Sequence, residues 1–507
     1  MDPGPSAAAL REPVLAGRFV GAADRQHAEA LEVFLSASPD QALQIWFGDA
    51  SPRLATDPQA LRDRLDRDIS AIDRMLARQL DAILHHERLR RLEGSWRGLQ
   101  WLIQQAPLGN RVRVRVLQLP WVELCRDLGR AGDFDQSQLW RKIYEDEFGT
   151  LGGEPFGLLL VDHGVQHRTS PGAIIDDVTA LGLLAQIACG AFVPTLLGVS
   201  PALLELDGFE DIARLTDAGL ALRGTAHQRW RASAAKPEMR FIGMALPRVL
   251  GRAPWPDNGR ADGFRYAEYA PTASERVWTQ PIYAFGLCAA RAFAAYGWPA
   301  DVRGSEQDRL GGGLFANVPS EPLSTDPPDT WARPPIELAL ADLHERQLID
   351  AGLMPVSTLP FGEALVFGSM RSRHAPARHQ GATAAAADAN AQLSSQFNAV
   401  LCASRFAHTL KMLGRLMVGS NSSADDIERK LQRWLSGYVD GNARAGADTR
   451  ARYPLSNARI EVHDMPSQPG HYGCTVWLQP HHQLDDVSTE FRLTTELSGV
   501  GSARASA

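Results

Sequence analysis

Cysteine is scarce. Cys125, Cys189, Cys288, Cys402 and Cys474 stand far apart in 507 residues, with no CxxC pair and an odd total. That excludes a disulfide framework and reads as a chain kept in a reducing cytoplasm. No uninterrupted apolar run reaches the ~18 residues of a membrane-spanning helix. The opening MDPGPSAAALREP lacks the basic region and apolar stretch of a signal peptide, so the expectation is a soluble protein without membrane insertion. An excess of positive charge is missing too: 52 Lys plus Arg against 59 Asp plus Glu gives −7. This argues against a general attraction to nucleic acid or anionic lipid. Enzyme signatures are equally absent. There is no P-loop, no GxSxG elbow, no HExxH, and no GxGxxG after a strand; the run Gly311-Gly312-Gly313 has no following Lys. His85 and His86 are adjacent and diverge by about 100° on a helix, so they do not grip one metal together. His481 and His482, near Asp485 and Asp486, follow Pro480 and read as a bend. The expectation is no enzyme, no cofactor and no metal.

What is present is a globular composition, 44% hydrophobic and 22% charged, long enough for roughly two to four packing units. Residues 1–57, rich in Ala, Pro and Asp, read as an arm with local structure. Leu61, Leu65, Ile69, Ile72, Leu76, Leu80 and Ile83 recur at spacings of three and four, the period of one buried helix face. A second helix carries Leu92, Trp96 and Leu99. The segment RVRVRVL (111–117) alternates as a strand with one polar face. Between Phe156 and Val199, the apolar run FGLLLVD, a helix started by Ser170-Pro171 and the run FVPTLLGV compose a βαβ unit. Further strands are expected at 240–246 and 300–303, with a helix over 281–296 between them. The basic stretch Arg371, Arg373, His374, Arg378 and His379 reads as a solvated loop, since no aromatic residues interleave it for nucleic-acid stacking.

Pro, Ser, Thr and Asp crowd residues 318–335 and mark a boundary. Beyond it, helices are expected over 389–417 and from Ser423, where Ser423 and Asp426 occupy capping-box positions and Gly441 can close the end. Three strands then follow: one around Ile460 and Val462 and one at Val487, Thr489, Phe491 and Leu493, both set by alternation, with the strand of Val476 and Trp477 (474–479) between them. Nothing after them covers the sheet, which leaves open edges able to accept a strand from another chain. The expected fold class is α/β: a mixed-sheet domain with flanking helices (58–330), a second smaller α+β domain (331–456), C-terminal strands for an inter-subunit sheet (457–497) and a disordered tail (498–507). Candidate interface residues are Ile460, Val462, Val476, Trp477, Val487, Thr489, Phe491 and Leu493.

Several separate stretches, among them IDRMLARQLDAILHH (72–86), YEDEFGTLGGEPFGLLLVD (144–162), MRFIGMALPRVLGRAPW (239–255), AFAAYGWPADVRG (292–304), SRFAHTLKMLGR (404–415) and ARYPLSNARIEV (451–462), resemble the TssC/VipB family in its own order. This family supplies the large subunit of the type VI secretion contractile sheath in the bacterial cytoplasm. The resemblance implies a structural building block that pairs with a small TssB-like subunit and polymerises helically around an Hcp tube. It further implies assembly on a baseplate, ejection of the tube on contraction, and disassembly by a ClpV-type AAA+ ATPase. A divergent TssC-like accessory protein, binding baseplate or sheath without forming a filament, is the alternative. Residues 1–57, 305–315, 371–389 and 418–421 depart most from the family pattern.

Overall fold

Asp57 starts a 27-residue helix, α1 (Pro58–Leu84), by accepting the amide hydrogens of Gln59 and Ala60 at 3.1 Å, with Pro58 at the position where no donor is needed. The computed structural model describes residues 10–17, 25–109, 111–150, 153–260, 263–304, 312–322, 332–359, 363–376, 388, 391, 395–418, 423–442, 445–464, 472–481 and 491–497. The chain divides into two units, Met1–Arg90 with Ala253–Arg276, and Arg91–Arg252 with Val277–Ala507.

In the first unit the expected arm is a packed helical cap. Short helices Arg11–Leu15, Arg25–Ser36, Pro39–Phe47 and Ser51–Ala55 gather Leu10, Trp46 and Phe47 against Leu61, Leu65 and Ile72 of α1. Their anchor is Asp68, which is 3% exposed. Arg11 donates to it through two nitrogens at 2.6 and 2.7 Å, and the Trp46 indole donates at 3.1 Å. Burial alone would raise the Asp68 pKa, but the hydrogen bonds of Arg11 and Trp46 prevail and hold it below the usual carboxylate value. Composition hid this cap because its apolar clusters are short and meet across the chain, the Leu10 amide donating to the Ile45 carbonyl at 3.0 Å and Phe34 lying against Trp46. On the predicted stripe, Ile69, Leu76 and Ile83 remain exposed. His85, at the end of α1, meets Glu268 at 3.2 Å.

The second unit is built on a six-stranded sheet of β1 (Leu159–Val165), β2 (Thr195–Val199), β3 (Ile242–Leu246), β4 (Leu314–Phe315), β5 (Met354–Thr358) and β6 (Leu365–Phe367), in the order β1-β2-β3-β5-β6-β4. The first four strands in that order are parallel and the last two pairings antiparallel. All five residues of β2 and of β3 are buried, which is why they read as continuous apolar runs without alternation. The expected βαβ unit is present: β1 and β2 pair in register Leu159 to Thr195, joined by helix α3 (Asp177–Ala191), the third long helix after α2 (Glu87–Gln105). Helix α3 starts later than Ser170-Pro171 predicts. Asp176 caps it by accepting the Thr179 amide hydrogen at 2.9 Å, and Ser170 instead donates its hydroxyl to the buried Asp177 at 2.8 Å. The expected helix over 281–296 is α4 (Ile282–Tyr296).

Four expectations are corrected. The expected boundary at 330/331 falls inside one sheet, because β5 lies beside β3 with Ala245 opposite Met354. The proline-rich stretch interrupts local structure without ending the layer. RVRVRVL joins no ladder among the described residues, and Val114, Val116 and Leu117 are exposed. Two of its arginines find partners nonetheless, Arg113 with Glu154 at 2.6 Å and Arg115 with Glu147. Residues 300–303 form no strand. Arg373 and His374 are buried at 3% and 5% exposure, not solvated. The Arg373 guanidinium lies 4.0 Å from the Trp230 ring centroid and donates to the Trp230 carbonyl at 2.6 Å, so a desolvated cation is held by a ring face and a carbonyl. Arg378 and His379 lie outside the described residues.

Close packing explains a glycine pair. A Cβ at Gly94 of α2 would strike the Trp278 carbonyl, and one at Gly98 would strike Thr279 and Tyr283. Only glycine lets the helix approach that segment's backbone. All five cysteines are free thiols, and burial pushes Cys288 and Cys402 up to about 12, which suits packing rather than reactivity.

Candidate functional site

The C-terminal segment starts from two helices, α5 (Phe397–Val418) and α6 (Ala424–Ser436). Ser423 caps α6 by accepting the Asp426 amide hydrogen at 3.2 Å, as its spacing predicts, and the helix ends at Gly437 rather than Gly441. Ile427, Leu431 and Leu435, four residues apart, are fully buried on one stripe. Against it lie three antiparallel strands, β7 (Leu455–Asp464), β8 (Tyr472–Pro480) and β9 (Phe491–Leu497), in that order. Ile460 pairs with Val476 across β7 and β8, and Val476 with Leu493 across β8 and β9.

The two faces of this sheet differ. Ile460, Val462, Cys474, Val476 and Leu478 share one core with Phe406, Leu410 and the α6 stripe, and Trp298 stacks on Phe406 with centroids 4.1 Å apart. Three candidate interface residues, Ile460, Val462 and Val476, are therefore committed inside their own chain, at 2%, 9% and 0% exposure. Strand alternation identified a buried face but not what buries it. Trp477 is on the opposite face, with the Arg459 guanidinium 5.5 Å from its ring and Arg459 paired to Glu461. Val487 and Thr489 lie outside the described residues. Phe491 and Leu493 are placed by backbone register alone, opposite Leu478 and Val476.

The two edges also differ. Along β7, the Ile460 amide donates to Gln432 Oε1 at 2.9 Å, while Gln432 Nε2 donates to the Ala458 carbonyl at 3.2 Å. One turn earlier on α6, Glu428 accepts the Val462 amide hydrogen at 2.8 Å. The Gln432 side-chain amide thus stands in for the peptide of an absent strand, and residues 438–440 close the rest of the edge, with Asp440 donating to the Leu455 carbonyl at 2.9 Å. Side chains that occupy edge groups prevent a further strand from pairing there. At the other edge, β9 pairs only with β8 among the described residues. Neither Glu428 nor Gln432 carries a signal in sequence beyond a polar pair at i, i+4 beside an apolar stripe.

The guarded edge makes a prediction. Glu428→Ala/Gln432→Ala leaves part-buried main-chain groups of β7 without their partners, at up to about 1–3 kcal/mol each. The double variant is expected to unfold at lower denaturant and to scatter more light with concentration. An unchanged midpoint with unchanged scattering would show that α6 does not guard this edge.

No helix among the described residues is long and apolar enough to cross a membrane. Two family models match the chain. One is described as EvpB/VC_A0108, tail sheath N-terminal domain, and covers residues 66–374; the other is EvpB/VC_A0108, tail sheath gpW/gp25-like domain, and covers residues 386–497. The second match spans α5, α6 and the three C-terminal strands. The chain is also 30% identical over 435 residues to the type VI secretion system sheath protein TssC1 of Pseudomonas aeruginosa, which covers 85% of each chain. Fold, matched span and relative agree: this chain belongs to the TssC/VipB family of type VI secretion sheath proteins.

Proposed function

We propose that the chain is the large subunit of a bacterial cytoplasmic contractile sheath, pairing with a TssB-like small subunit and polymerising helically around an Hcp tube. The observation that carries this reading is the asymmetry of the C-terminal sheet: β7 is blocked by Gln432 and Glu428, whereas β9 is an edge among the described residues. A sheet open on one side directs strand addition to that side, and a head-to-tail contact that does not close on itself propagates as a filament. The Trp477 face and the β9 strand, including Phe491 and Leu493, are the proposed contact surfaces. The largely exposed segment 111–117, which joins no ladder among the described residues, supports a second place where a partner completes structure that this chain leaves unfinished. Shared strands keep their hydrogen bonds while rigid domains rotate, so an extended lattice can contract without dissociating. Assembly on a baseplate and extraction by a ClpV-type ATPase belong to the same reading.

Co-expression with the neighbouring TssB-like chain, followed by negative-stain electron microscopy, tests it. Tubules are expected. A stable, discrete particle containing both chains but no tubules would overturn polymerisation and favour an accessory role at baseplate or sheath.

A further inference from the structure

Beyond the carboxyl ends of β1 and β2, three loops converge. His167 lies two residues after β1, Glu205 follows the short 3₁₀ turn Pro201–Leu204 after β2, and His227 precedes the helix Gln228–Ala234. One ring nitrogen from each histidine and one Glu205 carboxylate oxygen lie within 4.8 Å of one another. No other group of three His, Cys, Asp or Glu side chains is so arranged among the described residues.

His227 decides what the cluster can do. Its side chain is 0% exposed, and Nε2 lies 2.8 Å from the Leu203 carbonyl oxygen. A carbonyl only accepts, so Nε2 carries the proton and Nδ1 presents a lone pair. That Nδ1 is buried without a hydrogen-bond partner and lies 3.9 Å from Glu205 Oε1, too far for a hydrogen bond. An imidazole oriented by a backbone carbonyl, with its free nitrogen aimed at another imidazole and a carboxylate, is the arrangement of a metal-ligating histidine. The His167 ring is 4.2 Å from the His227 ring between centroids, and its Nε2 accepts only the exposed Arg168 guanidinium, at 3.2 Å. Glu205 is half-exposed and holds φ at 59°, a conformation that glycine would take more easily. A carboxylate therefore stands where backbone geometry alone does not favour one.

We propose that His167, Glu205 and His227 bind a divalent transition metal of the zinc class. Two imidazoles and one carboxylate suit Zn²⁺ with a fourth position left to water. Bonds of about 2.0–2.2 Å need the three donors closer together than they now stand, and the half-exposed Glu205 and the exposed Arg168 are the groups free to move. The ion would tie three loops at one end of the parallel sheet.

The test uses the full chain, co-purified with its TssB-like partner where needed, stripped with chelator and titrated with Co²⁺ alone and then Zn²⁺ alone. The expected result is one ion per chain, intense tetrahedral visible absorption with Co²⁺, bleaching by Zn²⁺, and a Zn²⁺-dependent rise in Tm. His167→Gln and Glu205→Gln are expected to weaken binding by more than the roughly 10–100-fold that loss of an outer-shell partner costs. Glu205→Gly keeps the apo protein at least as stable, since it relieves the positive φ, yet removes the Zn²⁺-dependent rise. Absence of tetrahedral Co²⁺ absorption overturns the proposal. So does wild-type affinity in His167→Gln or Glu205→Gln. Neither readout depends on tubule formation, so this inference and the sheath reading fail separately.

Discussion

A chain ending at His481, and so lacking β9, is expected to fold its parallel sheet and yet form no tubules with a TssB-like small subunit. Seven residue pairs join β9 to β8, and the helices α5 and α6 already cover the apolar face of β7 and β8. Truncation therefore removes an edge strand while leaving the core of Phe406, Leu431, Ile460 and Val476 in place. The net contribution of each lost main-chain hydrogen bond is about 0.5–1.5 kcal/mol, enough to lower the stability of the C-terminal domain without unfolding the larger sheet. Assembly suffers far more, because the other edge cannot substitute: Gln432 and Glu428 occupy its main-chain groups. Circular dichroism should show native helix content, and electron microscopy should show no tubules. Normal tubules from the truncated chain would refute the assignment of β9 as the assembling edge.

Asp177→Ala is expected to be the most destabilising single substitution in the unit that holds the six-stranded sheet, at about 3–5 kcal/mol, because several donors packed around one buried carboxylate lose it together and each left unsatisfied costs about 1–3 kcal/mol. The Asp177 side chain is fully buried at the start of α3 and accepts four hydrogen bonds. These come from Ser170 Oγ at 2.8 Å, His163 Nε2 at 2.9 Å, Trp121 Nε1 at 3.0 Å and the Gln166 amide at 3.2 Å. His163 stacks flat on Trp121 with centroids 4.0 Å apart, so one carboxylate fixes both rings. Burial pushes the Asp177 pKa up, but the donors, His163 first, outweigh it and hold the carboxyl below its ordinary 3.8. A depressed folded-state pKa stabilises the fold fully above about pH 4, and that contribution is lost as pH falls through the folded value. Urea midpoints between pH 3 and 7 measure this: Asp177→Asn should flatten the acid limb, and Asp177→Ala should lower the midpoint throughout. A loss below about 1 kcal/mol for Asp177→Ala would show that the four donors find water or other partners instead.

Local patterns were legible wherever one residue period met one burying face. Thr195–Val199 read as the second strand of a βαβ unit and Ile242–Leu246 as a further strand because both runs are apolar on both faces. Ser423 announced α6 because a cap acts on its own first turn, alternation announced β7, and β8 was read from its place between two alternating runs. Family membership was legible too, since it rests on stretches conveyed whole by the chain. RVRVRVL shows where this kind of reading stops: alternation sorts Arg from Val onto two faces, but a strand also needs a neighbour, and within this chain it has none among the described residues. The same limit explains Ile460, Val462 and Val476, whose apolar face was evident and whose cover, the chain's own α6, was not.

The sequence by itself determined the helix and strand periods, the start of α6, the absence of familiar enzyme motifs and the sheath family. Only the tertiary structure decided which edge of the C-terminal sheet is closed, that β5 continues the sheet past the proline-rich stretch, that Leu10, Trp46 and Phe47 pack against α1, and that His167, Glu205 and His227 meet. The physical reason is range. Periods and caps arise from interactions within a few residues, whereas edge blocking, sheet continuation and donor clusters join groups distant in the chain, whose encounter depends on every packed element between them.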